Sequence, residues 1–358
     1  MAQVVDVALT GKGAIVTGGG SGNLFYSILF PPNIIAHPTT DPASTMYIME
    51  MMLTQHCSER TGICLSFVQH LYRAGFNVLI CDLALHREAV AWLDTIQPRK
   101  DDTSTTSHPT VASSSSSPSG GPRVAFLKTD VSDWKQLHGA FDGYAREFGG
   151  GVPDVVCPGA GVYEPSWNNF WNDGDDDAGF YTLLRINLEH PLKMSRIAIR
   201  KWVQHRRPGT IVLVSSTGAQ KPSMLTPLYG AAKQGVSNLA RGMARLQDME
   251  DIRVVAVAPG PTMSPLMYDH PEALRFVDPD KDKLSTPDEI GRGMMAVAFD
   301  RERFPPGTVL EVTHPDRWRE VNLLNDPGPG PHAFTSRKEE GMADVYAALE
   351  ADRKSAPA

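Results

Sequence analysis

An α/β fold, with one doubly wound parallel sheet of about seven strands and helices on both faces, is what this sequence predicts. Seven short β-branched runs recur along the chain: Gly13–Val16, Asn77–Cys81, Val124–Lys128, Asp154–Cys157, Thr210–Val214, Arg253–Val257 and Thr308–Val312. Each is followed by turn residues and then by a helix-like stretch, the rhythm of βαβ units around a parallel sheet. With 358 residues, 41% of them apolar and 21% charged, the chain can bury a full core of that kind.

Composition narrows the function. A formal charge of −7 and a pI near 5.9, with no sustained Lys/Arg stripe, argue against a nucleic-acid partner. Cys57, Cys64, Cys81 and Cys157 form no CxxC pair, so neither a zinc framework nor a disulfide scaffold is expected and a reducing compartment is the simpler reading. Met1 to Thr10 shows no basic segment followed by an apolar one, and no apolar run approaches the roughly 20 residues that span a bilayer. A cytoplasmic protein without a membrane anchor is expected.

The first run, Ala14–Val16, opens into Thr17-Gly18-Gly19-Gly20-Ser21-Gly22. Glycines there let a backbone approach a phosphate, which the following helix N-terminus attracts; many glycine-rich turns do no such thing. The second run ends at Asp82 and the third at Asp130-Val131, where an aspartate can equally start a turn or cap the helix beginning near Trp134. The fourth leads to Pro158-Gly159-Ala160-Gly161, and Asn187 lies in the helix-like Arg185-Ile186-Asn187-Leu188.

The fifth run, Ile211–Val214, ends near Ser216, and Tyr229-Gly230-Ala231-Ala232-Lys233 begins 13 positions after that serine. Residues i and i+4 share a helix face, so Tyr229 and Lys233 can point into one cleft. A phenol with a pKa near 10 is a poor base at neutral pH, and a neighbouring ammonium stabilises the phenolate. Ser216, at the carboxyl end of a strand where open sheets bind ligands, can hydrogen-bond a carbonyl or alcohol oxygen. An isolated Tyr-x-x-x-Lys is a weak signal, because such pairs usually lie on a helix surface.

Taken together and in order, these segments resemble the short-chain dehydrogenase/reductase family, over Val7 to about Thr313. The resemblance implies a Rossmann-type sheet and hydride transfer between a nicotinamide cofactor and an alcohol/ketone pair. In it Ser216 positions the substrate oxygen, Tyr229 moves the proton, Lys233 lowers the tyrosine pKa and binds the nicotinamide ribose, and Asn187 holds a water in the proton relay. It assigns the cofactor to Thr17, Gly18, Gly20, Ser21 and Gly22, with Ile63 beyond them, and to Asp82 at the ribose and Asp130 and Val131 at the adenine. Ala160 and Gly161 keep half of the family's Asn-Asn-Ala-Gly, and Pro259, Gly260, Thr262 and Ser264 stand for its Pro-Gly-x-x-x-Thr segment at the nicotinamide. A carboxylate at position 82 repels a 2′-phosphate, so NAD is favoured over NADP. The wording of the loops is loosely similar to the 15-hydroxyprostaglandin dehydrogenase-like branch. The family also implies a homodimer or homotetramer. The apolar segment after Ser264, with Leu266, Met267, Tyr268 and Phe276, suggests a non-charged, bulky substrate. Two rival readings are an NADP-linked ketoreductase of secondary metabolism and a catalytically silent dinucleotide-binding protein.

Two segments interrupt the domain expected at 7–314, which is followed by a tail at 315–358. Residues 99–123 are rich in Ser and Thr and have little to bury, so a disordered surface loop is expected. Residues 23–62 separate Gly22 from Asp82 by 60 positions, where the dinucleotide fingerprint expects roughly 20. Leaving out those 40 residues restores the spacing and joins Gly22 to Ile63-Cys64, with Cys64 where a third glycine is common. A retained intron or a genuine insertion beside the pyrophosphate would each account for this. His37, His56 and Cys57 fit no ligand spacing, so no metal is expected.

Overall fold

The computed structural model describes residues 9–19, 62–96, 121–164, 170–171, 179–221, 223–268, 281–322 and 338–355. The expected insertion therefore lies outside the described residues except for Gly62, and so does most of the Ser-rich segment.

Eight strands form one sheet in the order β3-β2-β1-β4-β5-β6-β7-β8. They are β1 (Gly13–Thr17), β2 (Asn77–Asp82), β3 (Val124–Lys128), β4 (Val155–Pro158), β5 (Gly209–Val214), β6 (Ile252–Pro259), β7 (Val309–Thr313) and β8 (Arg317–Glu320). The first seven are mutually parallel, and β8 pairs antiparallel with β7, setting Leu310 opposite Glu320. The eighth strand is the departure from the seven expected. It is short, charged and tied by a tight turn, so a pattern search for long β-branched runs passes over it; its Arg-Trp-Arg-Glu sequence also suits a solvent edge.

Among the described residues, seven helices of ten or more residues flank the sheet: α1 (Ile63–Arg73), α2 (Arg87–Ile96), α3 (Trp134–Phe148), α4 (His190–His205), α5 (Pro227–Gly242), α6 (Pro287–Phe299) and α7 (Lys338–Lys354). Alternation along each strand divides the core. Ile15, Ile211 and Leu213 face the layer of α3, α4 and α5, while Ala14, Val16 and Val212 face α1 and α6. Strands buried on both faces read as continuous apolar runs, which is why they were legible.

Local chemistry fixes the ends. Asp133 caps α3 through Lys135 N at 2.8 Å, and Gly149 closes it at φ +81°. Thr286 and Glu289 form a reciprocal capping box at α6. Helix α7, within the tail expected at 315–358, docks on α4: Asp352 is paired with Arg196 at 2.8 Å and Arg200 at 3.3 Å, and Leu349 is buried.

Because β1 lies between β2 and β4, the direction of winding reverses there and leaves a crevice at the carboxyl ends of those strands. Trp202 of α4 is fully buried, donates its indole N–H to Pro153 O at 2.6 Å, and lies flat on Gly209, where a Cβ would come within 2.2 Å of the indole. Gly209→Ala is expected to lower stability by about 1–3 kcal/mol, the usual cost of overpacking, in urea unfolding; an unchanged midpoint would mean that Trp202 has room to move.

Candidate active site

A cleft of about 680 Å³ opens at the carboxyl ends of the strands and is lined from Gly18 and Asp82 at one end to Tyr229, Ser264 and Leu266 at the other. Of the residues singled out from sequence, Gly18, Ile63, Asp82, Asp130, Val131, Ala160, Gly161, Ser216, Tyr229, Lys233, Pro259, Gly260, Thr262 and Ser264 all line it. Gly20, Ser21 and Gly22 lie outside the described residues. Thr17 and Asn187 are buried immediately behind the wall.

Ser216 follows β5 in extended conformation, and its Oγ accepts from Gly218 N at 3.0 Å. A Cβ on Gly218 would stand 3.4 Å from Ser216 Oγ and 3.4 Å from Tyr229 Cε1, so serine and phenol border one point. Tyr229 and Lys233 occupy the first two turns of α5, with the lysine Nζ 5.6 Å from the phenol ring centroid. Lys233 is 5% exposed and donates to Val214 O at 3.0 Å. Burial pulls its pKa down to about 8. Burial also pushes the Tyr229 phenol above its ordinary value, against a lowering by its hydrogen bond to Ser216. The depression by Lys233 expected from sequence is not seen: the lowering comes from Ser216, and desolvation sets the upward direction.

Asn187 lies in a π-turn, Arg185–Glu189, between a short helical turn and α4. The extra residue in that turn swings its side chain inward, where Oδ1 accepts from Val162 N and Nδ2 donates to Val162 O, both at 2.8 Å. A Cβ on Gly161 would lie 3.3 Å from Asn187 Oδ1 and 3.6 Å from Lys233 Nζ, so both polar groups border this glycine.

At the other end, Gly18 has φ +75°, and a Cβ there would be 2.7 Å from Ala160 Cα. Asp82 Oδ1 accepts from Leu83 N at 2.7 Å. Asp130 accepts from Ser132 N and Oγ, whereas the α3 cap is Asp133, which removes the capping alternative for Asp130. Cys64, in the first turn of α1, fits because of a change elsewhere. A Cβ on Gly159 would lie 2.3 Å from its Sγ, so Gly159 makes room for the thiol, which also neighbours buried Cys157.

The family model for short chain dehydrogenase matches residues 101–274. A cis-4-hydroxycyclohexanecarboxylate dehydrogenase of Sinomonas cyclohexanicum is 31% identical over 195 residues, 54% of this chain and 76% of that protein. The short-chain dehydrogenase/reductase ATR7 of Stachybotrys chlorohalonatus is 25% identical, and there the match covers 38% of this chain and 42% of the relative. A dehydrogenase/reductase structure from Sinorhizobium meliloti 1021 superposes with a TM-score of 0.56 at 20% identity, covering 84% of this chain and 93% of the other, a likeness of fold. The chain belongs to the short-chain dehydrogenase family.

As a short-chain dehydrogenase it is an oxidoreductase of the alcohol/ketone type, acting on CH–OH groups with a nicotinamide dinucleotide. The cleft suits such a group: α1 points its N-terminus at it, with Gly62 as N-cap and no acidic residue in the first turn, beside a backbone kept close by Gly18. Among the described residues no helix is long and apolar enough to cross a membrane, and no three His, Cys, Asp or Glu side chains cluster as a metal site.

Three residues that shape this dehydrogenase site escaped the sequence reading. Tyr163 packs its ring 5.9 Å from that of Tyr229 and lines the cleft. Glu164, 7% exposed, accepts from Tyr229 N at 3.1 Å. His190 is fully buried, with Nδ1 3.1 Å from Ile186 O and Nε2 3.1 Å from Thr17 Oγ1. A carbonyl only accepts, so Nδ1 carries the proton, and neutral Nε2 takes the Thr17 hydroxyl proton. That hydroxyl in turn accepts from Ala160 N at 3.2 Å. A lone histidine at the start of an amphipathic helix carries no periodic signal, and its partner lies 173 positions away.

Burial holds His190 neutral, with its pKa pulled down to about 3. Above pH 6.5 the ring is neutral folded or unfolded. As pH falls from about 6.5 toward 3, the unfolded chain takes up a proton that the folded one refuses, and stability drops. The urea midpoint of wild type should therefore fall more steeply between pH 7.5 and 5 than that of His190→Gln; parallel losses would show that the ring titrates freely in the fold.

Proposed function

We propose that this chain reversibly oxidises a secondary alcohol to a ketone with NAD(H), and that Ser216, Tyr229, Lys233 and Asn187 carry the chemistry. The observation that supports this is their convergence on one cleft. Ser216 Oγ and Tyr229 flank Gly218, Asn187 Oδ1 and Lys233 Nζ flank Gly161, and the Lys233 ammonium stands beside the Tyr229 ring.

The nicotinamide, when bound, supplies the hydride acceptor for oxidation or the donor for reduction. The residues of the chain do the rest. Ser216 orients the substrate oxygen, Tyr229 accepts the hydroxyl proton as the alcohol is oxidised and returns it as the ketone is reduced, and Lys233 favours the phenolate when the cleft is filled. Asn187 holds the strip that carries Gly161 and Val162 in register beneath them. Burial raises the phenol pKa and keeps it protonated at neutral pH, ready to give its proton in ketone reduction, while oxidation needs the phenolate and is favoured toward alkaline pH.

Asp82 supports NAD over NADP, since its carboxylate lines the adenosine end of the cleft and would repel a 2′-phosphate. When the dinucleotide is bound, Gly18 and Ile63 would hold its phosphates, Asp130 and Val131 its adenine, and Pro259, Gly260, Thr262 and Ser264 its nicotinamide. On the substrate side Val162, Leu225, Leu266 and Met267 line the cleft, which suits an uncharged and bulky alcohol. We place the catalytic unit within the sheet and its helices, as a cytoplasmic homodimer or homotetramer in keeping with the family.

Tyr229→Phe keeps the ring and removes the proton carrier. Its kcat for NAD-linked alcohol oxidation should fall by about 10²–10⁴-fold, with NADH affinity nearly unchanged; activity close to wild type would remove Tyr229 from the chemistry.

A further inference from the structure

Helix α5 carries Tyr229 and begins without a cap of its own. Thr226 stands at the N-cap position but makes no side-chain cap hydrogen bond, and Pro227 contributes no N–H. Tyr229 is the third residue of the helix, and its N–H is one of the groups that helical bonding leaves unpaired. Ordinarily an N-cap side chain meets that N–H.

Here the acceptor comes from 65 positions away. Glu164 Oε2 accepts from Tyr229 N at 3.1 Å, while Oε1 accepts from Phe170 N at 3.3 Å. The carboxylate is buried and lies at the positive end of a 16-residue helix dipole. Phe170 lies edge-on to Trp171, whose indole N–H reaches Met224 O at 2.6 Å, two residues before Thr226. The segment around Phe170 is thus joined to the start of α5 twice.

We propose that Glu164 is a positioning residue for the tyrosine, a cap supplied from outside the helix that fixes the first turn of α5 and, through its second oxygen, ties that turn to Phe170. The inference rests on the reading of Tyr229 as the proton carrier. A proton transfer of this kind loses rate steeply when the donor is displaced, with a 1 Å error costing up to about 10²-fold. A carboxylate accepts two N–H groups at once. A carboxamide has one acceptor and turns an NH₂ toward the other N–H.

The test compares wild type with Glu164→Ala, Glu164→Gln and Glu164→Asp. Three quantities are read: amide hydrogen exchange of the peptide covering Leu228–Gly230, NADH affinity by fluorescence, and kcat and KM with NAD and cyclohexanol. In wild type the segment is protected. Glu164→Ala should exchange there at least about 10-fold faster, with kcat reduced about 10-fold or more and the NADH dissociation constant within about twofold. Glu164→Gln should fall between these limits, and Glu164→Asp should recover part of kcat. Equal exchange in wild type and Glu164→Ala would overturn the cap, and faster exchange with unchanged kcat would overturn its positioning role. Should the replacements fail to fold, rapid exchange of Leu228–Gly230 in wild type would overturn the proposal and protection there would support it. Tyr229→Phe retains the backbone N–H, so its exchange should match wild type. An active Tyr229→Phe removes the catalytic reading and with it the positioning role while leaving the cap, whereas rapid exchange in wild type removes the cap alone.

Discussion

The paired hydrogen bonds between the Asn187 amide and the backbone of Val162 hold together the two halves of the cleft. They join the π-turn that leads into α4 to the strip of chain leaving β4, and they do so at 2.8 Å in both directions. On either side of Val162 the same strip makes two further ties. Ala160 N reaches Thr17 Oγ1, and through it His190; Glu164 reaches the first turn of α5. Alternate residues of one short extended segment thereby set the distances between β1, α4 and α5. A polar group left without its partner in so buried a place costs about 1–3 kcal/mol, which is why each tie is completed.

The electrostatics follow from that closure. Lys233, Tyr229 and His190 are all enclosed, and for each the largest influence on its pKa is loss of water. Desolvation disfavours charge on every one of them, so lysine and histidine move down and tyrosine moves up. The site is thus built with its groups nearer to neutrality than in water. The lysine pKa is thereby brought closer to neutral pH, while the phenol stays protonated and stands first as a proton donor.

Much of this was legible in the amino-acid sequence, and the reason differs from residue to residue. Seven strands could be read because strands buried on both faces are continuous apolar runs; β8, charged and at the edge, could not. Tyr229 and Lys233 could be read because both lie on one helix at i and i+4, and Asp82 because it ends a strand. His190 and Glu164 act across 173 and 65 positions, and nothing in their own neighbourhoods marks them. The exchange of small side chains between Cys64 and Gly159 illustrates the same limit. Each looked like a departure from the family pattern on its own, yet in space the missing side chain of one accommodates the thiol of the other.

Hydride transfer ties these observations to a single chemical event. The most direct measurement uses the full 358-residue chain with NAD and cyclohexanol deuterated at the carbinol carbon. The account predicts one deuterium in the nicotinamide ring of the NADH formed, by mass spectrometry, together with cyclohexanone in equal amount. Ketone formed with no deuterium in the nicotinamide, or NADH formed with no ketone, would contradict it.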